Sequence, residues 1–271
     1  MHPRIVVNEV CFPSSLTLEE EIEWWTDGAI DRVGLSYFRR ANSDWLTDGN
    51  KVRDAGISVG YLLHERMYQL SDPATWTASI DALKTTIDAA VALAVPTIYT
   101  TTGPAGSLEF DEAARALATA FQPVREYAHA AGVEILTETT NPLFAHTHFL
   151  HTLADTASVA AQVGLKVCLD LYSVWWERGL RSTIAATGNS IRLVQVSDFA
   201  PIMGPPTTEN FVRQVPGDGV IPLDELVACV LDTGYQGLFD LELYLRPSAS
   251  ALADTCRAIE WLTDVLERLG I

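Results

Sequence analysis

Several features that would assign a protein to a special class are scarce in this sequence. It has 4 cysteines in 271 residues, too far apart for a disulfide framework or a zinc knuckle, so we interpret them as buried thiols. No run approaches the roughly 18–20 uninterrupted apolar residues of a membrane span. The opening residues MHPRIVVNEV lack the basic and apolar regions of a signal peptide. We therefore expect a cytoplasmic protein with no membrane partner.

Positive charge is also scarce. The chain has 18 lysines and arginines against 35 aspartates and glutamates, which gives a formal net charge of −17 at pH 7. A protein that neutralises nucleic-acid phosphates needs the opposite balance, so we expect no nucleic-acid partner. Acidity of this kind serves chiefly to keep a protein in solution.

Short apolar runs alternate along the chain with longer amphipathic segments. The runs predict strands at residues 4–12, 32–38, 58–64, 96–103, 133–139, 166–172, 191–198 and 237–244. Strict alternation of strands and helices predicts a parallel sheet. Eight such units fit the size of a (β/α)8 barrel. An open doubly wound sheet is the competing architecture, but no glycine-rich phosphate loop follows the first strand. The sequence therefore predicts an α/β protein with one (β/α)8 TIM barrel domain spanning residues 1–271.

Helix signals support these boundaries. Thr17 precedes an acidic first turn, and Ser71 or Asp72 precedes Pro73, so each pattern predicts the start of a helix. The longest irregular segment is residues 199–222, FAPIMGPPTTENFVRQVPGDGVIP. A connection of that length in a compact domain is usually functional, and in a barrel it would lie at the catalytic face.

Four of the predicted strands carry a polar side chain near their C-terminal end. These side chains are Glu138, Asp170, Gln195 and Glu242. A carboxylate within a run of Val, Ile and Leu is costly to bury unless it has a charge partner, and lysine and arginine are scarce in these strands. The C-terminal ends of barrel strands converge on one mouth. We therefore predict that one divalent cation is the shared partner. An all-oxygen donor set suits Mn²⁺ or Mg²⁺, with Co²⁺ or Zn²⁺ as alternatives.

The second half of the chain resembles the xylose isomerase-like TIM-barrel family of sugar isomerases and epimerases, especially its sugar phosphate isomerase/epimerase branch. The motifs that carry the resemblance are LTETTNP, CLDLYSVWWE, LVQVSDF, VPGDGVIPL and GYQGLFDLELY. The resemblance implies one metal ion per chain, held by Glu138, Asp170, Gln195 and Glu242. Glutamine at the third position resembles the hydroxypyruvate isomerase type.

The resemblance also implies a reaction. The family's metal binds a substrate carbonyl and the adjacent hydroxyl and stabilises an enediolate. Glu138 and Glu242 then correspond to the two catalytic glutamates, one removing the proton and the other returning it. The implied substrate is a small sugar or keto acid. Relatives are usually dimers or tetramers, so we expect a homo-oligomer.

One position departs from the family pattern. The family commonly has Asp-x-x-His at strand six, where this chain has Asp170-Leu-Tyr-Ser173. Serine offers a hydroxyl for hydrogen bonding but is no proton carrier near neutral pH. Further candidates for substrate contact are Trp175, Arg213, His64 and Asp198. Their alternatives are loop packing for Trp175, an ion pair with a local acid for Arg213, a structural role for His64, and orientation of a loop or helix capping for Asp198.

Other functions stay open from sequence alone. A metal-dependent dehydratase similar to inosose dehydratase would keep the proton abstraction and expel a β-hydroxyl group. A C-glycoside-cleaving subunit would need a second chain. A non-catalytic sugar-binding barrel would have lost the substrate pose, and Ser173 is the residue that favours it. His146, His148 and His151 match no zinc motif well, and a lid or subunit contact is favoured for them.

Overall fold

A computed structural model describes residues 1–36, 39, 44–64, 68–201, 212–244 and 249–271. Eight parallel strands form a closed barrel in sequence order, with the first strand paired to the last. The strands are β1 Ile5–Asn8, β2 Arg32–Ser36, β3 Ser58–His64, β4 Thr97–Thr100, β5 Glu134–Glu138, β6 Lys166–Asp170, β7 Ile191–Val196 and β8 Leu238–Leu241. The predicted TIM barrel is confirmed.

Helices surround the barrel and follow the predicted alternation. Among the described residues they are α1 Leu18–Asp27, α2 Trp45–Asp54, α3 Trp76–Ala92, α4 Phe110–Ala131, α5 Leu153–Val163, the short α6 Leu171–Val174, α7 Leu180–Thr187, α8 Leu223–Leu231 and α9 Ala251–Arg268. None of these described helices is long and apolar enough to cross a membrane. Thr17 caps α1 in a reciprocal capping box with Glu20, as its position before the acidic turn predicts.

The barrel interior is filled by side chains that alternate along each strand. One buried cluster consists of Val6, Tyr61, Leu63, Tyr99, Leu136, Cys168 and Leu193, and the larger cluster lies between the strands and the helices. Gly34 of β2 leaves room for Tyr61, because a Cβ atom at position 34 would lie 1.9 Å from the Tyr61 ring. Because side chains two residues apart share a face of a strand, Glu138 follows Leu136 on the inner face. Asp170 and Gln195 follow Cys168 and Leu193 in the same way.

Several strands end earlier than the sequence predicts, and two of these ends show a local cause. The run predicted as a strand through Tyr172 stops at Asp170, whose carboxylate accepts a hydrogen bond 3.0 Å long from the Tyr172 backbone N–H and caps α6. Likewise β1 ends at Asn8 and continues as a 3₁₀ turn, Glu9–Cys11. Side chains that bond to their own backbone compete with strand pairing at both places. Of the predicted long loop 199–222, residues 202–211 lie outside the described part of the chain.

Candidate functional site

Four predicted side chains meet at the mouth of the barrel. One carboxylate oxygen from each of Glu138, Asp170 and Glu242 lies within 4.8 Å of the others. This spacing is close to the span of about 4.2 Å between oxygens on opposite sides of one Mg²⁺. Gln195 joins them because it pairs in register with Asp170 on the neighbouring strand. All four are buried, with exposed fractions of 9% or less. The predicted convergence is therefore present.

Gln195 has an unsatisfied buried oxygen. Its Nε2 donates to the Tyr99 hydroxyl and to Asp240 Oδ2, both at 3.3 Å. Its Oε1 is buried and has no hydrogen-bond partner among the described residues. A buried acceptor without a partner loses roughly 1–3 kcal/mol of hydration free energy, so it points to a ligand that would complete it. A cation is such a ligand.

Burial and a neighbouring positive charge have opposite effects on the pKa of Glu242. Burial raises the pKa of Glu242 to about 7, while the guanidinium of Arg213 acts to lower it. Asn8 Nδ2 donates to Glu242 Oε1 at 3.3 Å. Arg213 Nη1 lies 2.8 Å from Oε2, as an ion pair without hydrogen-bond alignment. Oε2 therefore keeps its lone pairs available for a further ligand.

Arg213 lies among the acids as a buried cation. It bonds Asp170 with both terminal nitrogens, Nη1 to Oδ1 at 3.1 Å and Nη2 to Oδ2 at 2.9 Å. Its guanidinium also stacks over the Tyr172 ring, 4.6 Å from the ring centre. Burial opposes the charge, but Asp170 and Glu242 outweigh burial and raise the pKa of Arg213 above its ordinary value. Arg213 is therefore a fixed positive charge that balances two of the acids.

Asp170 is saturated with hydrogen bonds. Besides the two from Arg213, its carboxylate accepts one from the Tyr172 backbone and one from the Ser173 hydroxyl at 2.6 Å. A carboxylate has about four lone-pair positions, so none is left for another ligand in this arrangement. A metal ion on Asp170 has to displace one donor. The donor set otherwise fits a divalent ion, with three carboxylates, one unpartnered amide oxygen and no sulfur.

A cavity of about 310 Å³ opens above the acids. Its walls include the predicted residues Glu138, Ser173, Arg213 and Glu242. Its other lining residues are Val10, Leu63, Thr101, Thr140, Asn141, Phe144, His146, Thr147 and Tyr244. This size is near the lower end for small-molecule sites, which usually combine an apolar wall with a few polar groups.

Three predicted substrate contacts do not line this cavity. His64 follows the cavity residue Leu63, so alternation turns it outward, where Nδ1 lies 2.8 Å from Thr86 Oγ1 of α3. Trp175 packs beside Phe199, with ring centres 6.0 Å apart.

Asp198, the third of these residues, holds the loop after β7. Its carboxylate accepts hydrogen bonds from the backbone N–H groups of Phe199, Gly217, Gly219 and Ile221, at 2.8–3.0 Å. Backbone pairing between Asp198 and Gln214 in both directions fixes the segment that carries Arg213. The loop-orienting alternative named for Asp198 from sequence therefore describes its contacts, and Asp198 acts on the site through Arg213.

The predicted set omits a polar group beneath the acids. Asp240 of β8 is fully buried, and burial together with the charge of Glu242 raises the pKa of Asp240 well above its usual value. It accepts from Tyr61, Asn8 and Gln195. The sequence carries a signal for it, because Asp240 lies two residues before Glu242 and so shares its inner face.

His148 fastens the end of β5 to the end of β4. Its Nδ1 accepts from the Thr102 backbone N–H at 2.8 Å, and its Nε2 donates to the Glu138 carbonyl oxygen at 2.6 Å. Burial lowers the pKa of His148 to about 3, which keeps the ring neutral. His148 is thus a structural support for Glu138, whereas His146 borders the cavity.

A family model described as xylose isomerase-like TIM barrel matches residues 49–265. The chain belongs to this family. The match covers the predicted metal ligands and most of the barrel, and it confirms the family to which the sequence motifs pointed. A search of curated proteins finds no match to the chain.

Solved structures similar to this member of the xylose isomerase-like family share its whole barrel. D-psicose 3-epimerase from Clostridium cellulolyticum H10, solved with D-tagatose, has a TM-score of 0.79 at 16% identity over 97% of this chain and 99% of that one. IolI, solved with a zinc atom, has a TM-score of 0.80 at 16% identity over 98% and 99%. A protein of Sinorhizobium meliloti 1021 has a TM-score of 0.80 at 22% identity over 94% and 96%. Likeness at these identities shows the fold alone.

Proposed function

We propose that this protein is a divalent-metal-dependent isomerase or epimerase of a small sugar or keto acid. The observation that carries the proposal is a cluster of three carboxylates, two of which line a cavity, together with the unpartnered oxygen of Gln195, which pairs in register with Asp170 of that cluster. Family membership supports it, as does the fold shared with a D-psicose 3-epimerase and with a zinc-containing IolI. The ligands are Glu138, Asp170, Gln195 and Glu242. Their oxygen-only chemistry favours Mn²⁺ or Mg²⁺.

The proposed reaction divides its work between the ion and two glutamates. When bound, the ion supplies positive charge that acidifies the carbon next to the substrate carbonyl. Glu138 ends β5 and Glu242 directly follows β8, and both side chains line the cavity. One carboxylate takes the proton from that carbon. The other returns a proton to the opposite face for epimerisation, or to the neighbouring atom for isomerisation.

The cavity walls support a small polyhydroxylated substrate. Thr140, Thr147 and Ser173 place hydroxyl groups along the wall, and Asn141 adds an amide. Such groups both donate and accept hydrogen bonds, which suits sugar hydroxyls. The charge of Arg213 is already balanced by Asp170 and Glu242. A substrate with neutral hydroxyl and carbonyl groups therefore fits these walls better than a strongly anionic one.

One observation favours a second candidate function. Asp170 accepts four hydrogen bonds, two of them from Arg213, so the acids already have an internal cation. A sugar-binding barrel that uses this ion pair in place of a metal is consistent with that arrangement. The two candidates differ in whether the chain takes up a metal ion and whether it moves a substrate proton.

Proton exchange with solvent tests the proposed reaction directly. Wild-type protein loaded with Mn²⁺ is incubated in D₂O with a panel of keto sugars and hydroxy-keto acids, and deuterium at the α-carbon is followed by NMR. We expect exchange with at least one compound, and a loss of at least about 10²-fold in Glu138→Gln and in Glu242→Gln. Glu134→Gln is the matched control, because Glu134 lies at the other end of β5 and pairs with Arg192.

The outcomes separate the hypotheses. Exchange that persists in both Glu138→Gln and Glu242→Gln refutes the two-glutamate mechanism. A wild-type protein that takes up no Mn²⁺, binds a sugar of the panel and exchanges no proton supports the binding barrel instead.

A further inference from the structure

A buried polar layer lies directly beneath the proposed metal ligands, inside the barrel. It consists of Asn8, Tyr61, Tyr99 and Asp240, which come from β1, β3, β4 and β8. All four are at most 1% exposed. Packed barrel interiors are mainly apolar, so a polar layer at this depth needs a physical reason.

Asp240 is the acceptor around which the layer is arranged. Its Oδ1 accepts from the Tyr61 hydroxyl at 2.8 Å. Its Oδ2 accepts from Asn8 Nδ2 at 3.2 Å and from Gln195 Nε2 at 3.3 Å. Among the described residues, no lysine or arginine makes an ion pair with it. In the part of the chain that the structure describes, only neutral donors bond to this buried carboxyl group. Burying a carboxyl group without a cationic partner costs free energy of folding.

The arrangement fixes which end of the Gln195 amide faces downward. A side-chain amide can rotate by half a turn, exchanging its donor and acceptor ends. Asp240 Oδ2 accepts from Gln195 Nε2 beside the hydrogen bond that it accepts from Asn8, so the end of Gln195 that faces Asp240 is the NH₂ group. The Tyr99 hydroxyl oxygen accepts from the same Nε2 at 3.3 Å. Consequently Oε1 is left at the other end, where it has no described partner.

We propose that Asp240 is a positioning residue that sets the Gln195 amide so that Oε1 is the atom offered to the metal. The inference rests on the proposed function, since it assumes that a divalent ion binds there. Turned the other way, the amide would present N–H groups to a cation and would repel it. A glutamine ligand therefore needs a hydrogen-bond acceptor on the side away from the ion.

Asn8 extends the same support to a second ligand. One amide nitrogen of Asn8 donates to Asp240 Oδ2 and, at 3.3 Å, to Glu242 Oε1. Its own Oδ1 is occupied by the Val10 backbone N–H at 3.1 Å, which keeps the amide from rotating. Asp240 therefore holds Gln195 from below, while Asn8, whose amide is fixed by the Val10 N–H, holds Glu242. Partners of this kind typically change metal affinity by 10–100-fold.

A double-mutant cycle tests the role of Asp240. Asp240→Asn keeps the shape but can offer an N–H group to Gln195, so the amide is no longer held in one orientation. Mn²⁺ affinity is measured by calorimetric titration, without substrate, for wild type, Asp240→Asn, Gln195→Leu and the double variant. We expect Asp240→Asn to weaken binding by at least about tenfold in wild type. In the Gln195→Leu background the same change should have almost no effect, because the amide is gone.

The control is Asp254→Asn, an identical change at a buried aspartate of α9, outside the barrel. It should leave Mn²⁺ affinity unchanged. If Asp240→Asn binds Mn²⁺ as tightly as wild type, or weakens binding equally in both backgrounds, Asp240 does not act through Gln195 and the inference is wrong. A wild-type chain that binds no Mn²⁺ overturns the proposed function as well.

A crystal structure of Mn²⁺-loaded wild type gives a test that does not depend on any variant folding. It should show Gln195 Oε1 on the ion and Nε2 facing Asp240. A Gln195 side chain turned away from the ion contradicts the inference, even if the three carboxylates bind Mn²⁺.

Discussion

Arg213 supplies positive charge to the buried acids at the mouth of the barrel. Its guanidinium bonds both oxygens of Asp170 and lies 2.8 Å from Glu242. Removing one partner of a buried ion pair leaves the other charge uncompensated, which commonly lowers stability by about 3–5 kcal/mol. Arg213 and a divalent ion would therefore both supply positive charge to the same acids. The presence of one should reduce the stabilisation that the other provides.

The substitution Arg213→Met tests this exchange of charges. Without metal, we expect the free energy of unfolding to fall by about 3–5 kcal/mol, measured by urea denaturation. With saturating Mn²⁺ the loss should be smaller, because the ion replaces the missing positive charge. Arg268→Met, which breaks an exposed pair with Asp224, is the control and should change stability by at most about 1 kcal/mol. An equal loss with and without Mn²⁺ would contradict the shared role.

At the scale of elements, the Asp198 side chain binds the backbone of the described loop segment 212–221 after β7. Asp198 accepts four backbone hydrogen bonds, three of them from residues 217–221. Gly219 fits because a Cβ atom there would lie 2.2 Å from Asp198 Oδ1. Since Arg213 lies in the same segment, the loop and the charge balance of the site depend on the same anchor.

Asp198→Asn should loosen this loop. The amide keeps one acceptor oxygen and turns an NH₂ group toward backbone donors, so at least one N–H is left without an acceptor. We expect the free energy of unfolding to fall by at least about 2 kcal/mol, measured with urea. Asp218→Asn is matched to it, because Asp218 lies in the same loop but forms an exposed pair with Arg257. Equal effects of the two changes would show that Asp198 is not the anchor.

The strand ends show where sequence reasoning succeeds and where it stops. Sequence reasoning placed Glu138 and Gln195 near the C-terminal ends of strands that converge on the mouth of the barrel, where the structure has them. It placed the end of β6 two residues late, because the Asp170 carboxylate captures the Tyr172 N–H and starts a helix. His64 was expected at the mouth, but the same alternation that brings Leu63 inward turns it toward α3. Local competition of this kind is decided by tertiary packing.

At the scale of the whole molecule, the repeat of strands and helices determines the barrel, and the barrel determines the site. Closure between β1 and β8 brings Asn8 beside Asp240, which are 232 residues apart in the chain. The convergence of Glu138, Asp170, Gln195 and Glu242 could be predicted because each lies near the C-terminal end of a strand. The saturation of Asp170 could not, because Arg213 reaches it from a loop whose path no periodicity specifies. The expected homo-oligomer and cytoplasmic location stay predictions.

The proposed function depends most on one divalent ion at the mouth of the barrel. A Mn²⁺ titration of metal-free protein tests this directly. We expect about one Mn²⁺ per chain, with affinity weakened at least about tenfold by changes to the proposed ligands. The four variants are Glu138→Gln, Asp170→Asn, Gln195→Leu and Glu242→Gln. Glu134→Gln, at the opposite end of β5, should bind as wild type does. No binding by the wild type, or binding that all four changes leave intact, would contradict the metal site.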